Sequence, residues 1–282
     1  MREPVRRAVA VSLALLISAV ASSCSGGGGD PPPAPGCTHA ASPATGPGDT
    51  LNYFPSEVGW SWTYRNASGL LQTLAVTGTQ VVGTEVAAVF SSGELVVERP
   101  SGAYVLADPT VAPPLDQLYP TLVIPFPVAA TAAVEQGRCT SLDIGDVDGD
   151  GKADVADLVS TLQVLSATET AQVEAGAFTS VAHLLQFVTI TVRTTASGSA
   201  SATVMQEDRF APGVGLISRA IDSSPTIFTP ELLTLVSFTP AAAPAAKLAA
   251  AEALSAAPLV SAPRLEERAL DVARALIGGA RR

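Results

Sequence analysis

The stretch from Asp146 to Asp157 carries five aspartates, Asp146, Asp148, Asp150, Asp154 and Asp157, at positions 1, 3, 5, 9 and 12 of a twelve-residue run whose sixth residue is Gly151. Unpaired carboxylates at that density repel one another, and a cation makes their convergence favourable. A hard divalent cation such as calcium takes about six to eight oxygens. A short loop supplies them only when alternate side chains converge and one residue tolerates positive φ at the sharp turn. Gly151 is that residue. In this spacing Asp146, Asp148 and Asp150 ligate Ca2+ directly, Lys152 offers its backbone carbonyl, Asp154 binds directly or through water, and Asp157 closes the set. The competing reading is a solvated acidic turn.

This is the grammar of an EF-hand-type loop, with one departure: Asp157 is shorter than the usual bidentate glutamate. The loop resembles those of dockerins and other extracellular calcium modules. That resemblance implies binding in roughly the millimolar to sub-millimolar range and a stabilising role. A single copy is present, whereas a cohesin-binding dockerin would need two. After the loop, Val155, Leu158, Val159, Leu162 and Leu165 fit a helix, while Leu158, Leu162 and Val164 also fit a strand. The expectation is a strand, with the loop as an ion-clamped connection in a sheet.

Other chemistry is thinly represented. The two histidines, His39 and His183, have no local nucleophile motif such as G-x-S-x-G, and His183 reads as a satisfied sheet histidine. No catalytic residues are assigned and an enzyme is not expected. Without a CxxC or Cys/His cluster, zinc is not expected either. The net charge is −10, and the N-terminal Arg2, Arg6 and Arg7 against Glu3 contribute +2, so the remainder is near −12. Such a surface does not suit nucleic acid.

The N-terminus points to export. Arg2, Arg6 and Arg7 precede an uncharged run from Ala8 to Val20, and Ala21, Ser22 and Ser23 lead into Cys24, the order of a secretory signal over residues 1–23. The run is short for a membrane span. Its small residues ending in cysteine resemble the lipobox of bacterial lipoproteins, although Ala21 stands where leucine is usual. That resemblance implies cleavage before Cys24, lipidation of Cys24 and membrane attachment through the lipid. Ser25, rather than aspartate, after the cysteine implies an outer-membrane destination or a periplasmic face of the cell envelope. The alternative is an ordinary signal peptide with a chance cysteine. Residues 24–49 form a Gly-rich then Pro-rich tether. Cys37 and Cys139 remain as an even pair in a disulfide-permissive compartment, either bridged or as two thiols, because a bridge needs α-carbons within about 7 Å.

These features require a domain to position them, and residues 50–240 supply it. Trp60, Trp62 and Tyr64 recur at every second residue, so a strand projects all three to one buried face. Further β-prone stretches are Leu70 to Val76, Gln80 to Val82, Thr84 to Phe90, Glu94 to Arg99, Ala103 to Leu106, Phe178 to Leu184, Phe187 to Thr195, Ser201 to Phe210 and Leu216 to Ile221, separated by Gly, Ser, Asn and Pro turn signals. The expected fold is all-β: a single curved antiparallel sheet, half-barrel or barrel-like, with a short C-terminal helix. Residues 241–282 read as an Ala/Pro-rich tail. Within it Pro263 to Ile277 forms either an amphipathic helix or a partly disordered segment.

Three motifs in order carry a resemblance across Tyr53 to Ile221. They are Tyr53-Phe54-Pro55 with Gly59-Trp60-Ser61-Trp62-Thr63-Tyr64, then Glu169-Thr170-Ala171-Gln172-Val173-Glu174-Ala175-Gly176-Ala177-Phe178, then Phe210-Ala211-Pro212-Gly213-Val214-Gly215-Leu216. The combination is similar to a group of uncharacterised bacterial exported β-sheet lipoproteins. Glu174 stands where that group has proline and Phe210 where it has tyrosine. The resemblance implies a curved antiparallel sheet like those of carrier domains, and no known activity. The expected function is an envelope-anchored, calcium-binding domain that carries an apolar ligand without catalysis. The alternative is a structural or interaction module that meets another envelope protein.

Overall fold

The computed structural model describes residues 36–39, 51–107, 115–195, 198–224 and 230–241, together with Arg268 and Asp271. Cys24, the signal peptide, most of the tether and most of the tail lie outside these residues. In chain order the strands are β1 (Gly36–His39), β2 (Ser61–Asn66), β3 (Leu71–Val82), β4 (Glu85–Phe90), β5 (Leu95–Arg99), β6 (Gly102–Leu106) and β7 (Thr121–Pro125), with a 3-10 turn at Leu115–Leu118 before β7. They continue as β8 (Val134–Asp143), β9 (Val155–Val173), β10 (Gly176–Thr194), β11 (Gly198–Ala211), β12 (Gly215–Ser224) and β13 (Glu231–Thr239).

All thirteen belong to one antiparallel sheet, in the order β1-β8-β9-β10-β11-β12-β13-β2-β3-β4-β5-β6-β7. The sheet is curved and open. Strand β13 returns to pair with β2, joining a meander of long C-terminal strands to one of short N-terminal strands. The two ends of the sheet approach each other through the 3-10 turn. His39 Nε2 donates to Gln117 O at 3.0 Å, and Leu118 packs with Cys139 and Leu158.

Residues 155–165 are strand, the first half of β9. In two places the sequence pattern suggests a break where the structure runs on. Strand β3 joins Leu70 to Val76 with Gln80 to Val82 through a register shift between Val76 and Gly78. Strand β10 passes through Gln186 because that amide faces inward and donates to Ser160 Oγ at 3.3 Å. A polar residue with a partner does not end a strand. Strands β1, β7, β8 and β13 have no counterpart among the sequence-read stretches. Strand β8 is mostly polar, β7 is bracketed by prolines, and β1 lies in the presumed tether, 36–39 of which forms an edge strand.

The aromatic alternation does place Trp62 and Tyr64 in the core. Trp60 stacks on Trp62 at 5.7 Å between ring centroids and on Phe238 at 6.4 Å. The resemblance motifs meet around this ladder. Trp62 Nε1 donates to Val214 O, Tyr64 Oη to Leu216 O, and Gly213 N to Asn52 O. Gly215 has φ +94°, and a Cβ there would stand 3.4 Å from Pro55 and 3.6 Å from the Trp62 indole nitrogen. Those distances are ordinary contacts, so it is the positive φ that calls for glycine at that corner.

Two apolar clusters line the inner face of the curved sheet. One gathers Trp62, Tyr64, Phe90, Leu162, Leu184, Phe210 and Ile217; the other gathers Leu142, Leu158, Val188, Val204 and Ile221. Between them runs a polar belt. Along β9 the order is Leu158, Ser160, Leu162; along β10 it is Leu184, Gln186, Val188; along β11, Val204, Gln206, Asp208, Phe210; along β12, Ile217, Arg219, Ile221. Four neighbouring strands therefore each interrupt the inward apolar row, and the interruption runs diagonally across the register from Ser160 through Gln186 and Gln206 to Asp208 and Arg219.

Candidate functional site

The belt borders a cavity of about 170 Å³ on the concave side. Its apolar wall includes Phe54, Trp62, Phe90, Phe210, Leu216 and Leu233, so strands from both halves of the sheet contribute. Its polar end presents Gln186, Gln206, Arg219, Glu94 and Glu231. An engineered apolar cavity of about 150 Å³ in another protein binds benzene, so this volume suits a body of about one aromatic ring.

Arg219 and Asp208 face each other across β12 and β11. Arg219 Nε and Nη2 donate to the two Asp208 oxygens at 2.8 and 2.9 Å, and Gln206 Nε2 donates to Asp208 Oδ2 at 2.7 Å. The Asp208 side chain is 5 % exposed and that of Arg219 28 %, the latter opening on the cavity. Burial opposes the charge on Arg219, but the Asp208 carboxylate outweighs it and holds the guanidinium pKa above its usual value. Burial likewise raises the Tyr64 hydroxyl, which stays neutral and donates to Leu216 O. At the rim, Arg268 Nη1 is 2.7 Å from Glu231, so a helical residue of the tail reaches the sheet.

The aspartate loop connects β8 to β9. Ile144 N donates to Asp154 O and Asp154 N to Gly145 O, pinching its neck shut, while Gly149 and Gly151 take φ +74° and +87°. Asp146, Asp148 and Asp154 each bring a carboxylate oxygen within 4.8 Å of the others. Asp148 and Asp154 are buried. Asp154 Oδ2 accepts from the amides of Val147 and Asp148, yet Asp154 Oδ1 is buried without a hydrogen-bond partner. An orphaned carboxylate oxygen facing two further carboxylates fits a hard cation.

The remaining residues of the expected ligand set lie elsewhere. Asp150 is outside the trio: its Oδ1 accepts from Lys152 N and its Oδ2 from Thr195 Oγ1. Asp157 accepts from Ser141 N and pairs with Arg193 at 2.9 Å. In the expected ligand set the twelfth position would turn back toward the other carboxylates. In β9, which begins at Val155, that residue is carried along the strand.

Cys37 and Cys139 lie opposite each other on β1 and β8 and are disulfide-bonded. His183 sits between two carboxylates, its Nδ1 2.8 Å from Glu169 and its Nε2 2.9 Å from Glu207, with Arg209 beside them. Burial alone would lower its pKa, but the two glutamates outweigh that and raise it.

Sequence reasoning did not single out Gln186, Gln206, Asp208 or Arg219. The signal was present in the sequence as a polar interruption of otherwise apolar alternate positions in four consecutive strands.

No protein-family model and no curated protein matches this chain. Among solved structures, it is similar to a protein of Parabacteroides distasonis ATCC 8503 assigned as a lipoprotein, at 13% identity over 68% of this chain and 100% of that one, with a TM-score of 0.33. An exported protein of YmcC-like fold from Bacteroides fragilis NCTC 9343 matches at 12% identity over 67% of this chain and 100% of its own, with a TM-score of 0.33. The hypothetical lipoprotein YmcC from Escherichia coli K12 matches at 10% identity, 65% and 85% coverage and a TM-score of 0.25. Likeness at this level bears on neither ligand nor chemistry.

Proposed function

We propose that this chain is an exported, envelope-anchored binding domain that shelters a small apolar molecule in its concave face and is stiffened by calcium at the β8–β9 loop. The cavity beside Trp62 and Arg219 carries the reading. It is walled by aromatic rings and keeps unfilled a space that the neighbouring side chains do not occupy. Export and lipid attachment rest on the N-terminal pattern ending at Cys24, and the Cys37–Cys139 bridge suits an oxidising compartment. Among the described residues no helix is long and apolar enough to cross a membrane.

The test is occupancy. Benzene in excess is expected to raise the unfolding midpoint of the wild-type chain by about 2–4 °C, the equivalent of about 1 kcal/mol of ligand-linked stability. Leu216→Trp, which fills the cavity from β12, abolishes that rise while leaving the benzene-free midpoint within about 3 °C. A wild-type midpoint indifferent to benzene overturns the reading.

Calcium has its own measurement. At tenfold excess over Kd a single site adds about 1.4 kcal/mol, a rise of about 3–6 °C over the chelated protein. Asp154→Asn removes the response, because the orphaned oxygen loses its charge. An unchanged midpoint at about 10 mM calcium, tenfold above the weakest expected Kd, eliminates the ion.

A further inference from the structure

We infer that the cavity selects uncharged amphiphiles, with an apolar body of about one aromatic ring and a hydroxyl or carbonyl at its polar end. The inference rests on the cavity reading above and names the ligand class that the polar end admits. A guanidinium in an apolar pocket would ordinarily be read as a carboxylate or phosphate anchor. Here its charge is already matched. Nε and Nη2 are both committed to Asp208, which also accepts from Gln206. What remains toward the cavity is a hydrogen-bond donor with little net positive field.

The surroundings add to that field in the same direction. Glu94 and Glu231 line the same cavity, and Glu94 acts electrostatically on Arg219. An entering anion gains Arg219 only by displacing Asp208, whose 5 % exposure leaves it no water to turn to. An ammonium group has no lone pair to accept from the guanidinium, so it leaves that donor without an acceptor and gives up its own hydration. A neutral oxygen accepts the free donor edge and disturbs neither pair.

Matched probes separate the possibilities. Benzyl alcohol, benzoate and benzylammonium share one ring and differ in the charge of the polar end. Calorimetric titration of the full chain at pH 7 is expected to give benzyl alcohol a Kd at least tenfold lower than either ion. In Asp208→Asn the guanidinium charge is released, and benzoate gains at least tenfold relative to the alcohol. Benzoate or benzylammonium binding as tightly as the alcohol to the wild type overturns the inference, as does unchanged selectivity in Asp208→Asn. If that variant does not fold, the wild-type series decides alone. Benzene binding with the wrong selectivity overturns the ligand class and leaves the cavity reading standing. Failure of benzene and all three probes removes both.

Discussion

Asp208→Ala is expected to destabilise the fold by about 3–5 kcal/mol, lowering the thermal midpoint by about 10 °C or more. Asp208 is nearly buried and accepts three hydrogen bonds, two from Arg219 and one from Gln206. Alanine takes from that guanidinium and that amide the acceptor they share. The cost is the penalty of orphaned polar groups, which exceeds what the intact pair contributes. Asp208→Asn keeps an oxygen in place and is expected to cost about half as much. Urea denaturation of the two variants measures the difference. Equal and small losses, below about 1 kcal/mol for both, would show that water reaches the belt and that the cavity end is solvated.

The second large effect concerns the bridge at the sheet edge. The Cys37→Ala, Cys139→Ala double variant is expected to lose about 2–5 kcal/mol. The bridge spans a sequence separation of 102 residues, so in the unfolded chain it closes a long loop that contains β2 to β7. It also ties β1 to an interior residue, since Cys139 is buried with Leu142, Leu158 and Ile190. Strand β1 has four residues, paired to β8 and touching the 3-10 turn through His39. Released from the bridge, so short an edge frays, and hydrogen exchange of β1 and of the 3-10 turn should accelerate first. A midpoint unchanged by the double variant would mean that β1 unfolds independently of the rest of the sheet.

Local patterning carried much of the architecture. Alternation at Trp60, Trp62 and Tyr64, turn residues at regular spacing, and the valine- and threonine-rich run after Asp154 read correctly as strands of one antiparallel sheet. The strands that escaped notice lack that alternation. In β8, the run Glu135-Gln136-Gly137-Arg138 resembles a loop in composition, and pairing with β9 makes it a strand. The aspartate loop was legible for the same local reason: its turn is set by Gly151 and by side chains accepting from amides a few residues away. Asp157 is the third residue of β9, where pairing with β10 sets its direction and Arg193 holds its carboxylate.

By itself the sequence determined the class of fold and a loop of clustered carboxylates set between strands. Tertiary structure alone decided that Ser160, Gln186, Gln206, Asp208 and Arg219 form one belt across four strands, and that Cys37 faces Cys139. The reason is distance along the chain. A turn is set by interactions within about a dozen residues, whereas the belt and the bridge depend on strand register, which is fixed only when faces separated by tens of residues are buried against each other.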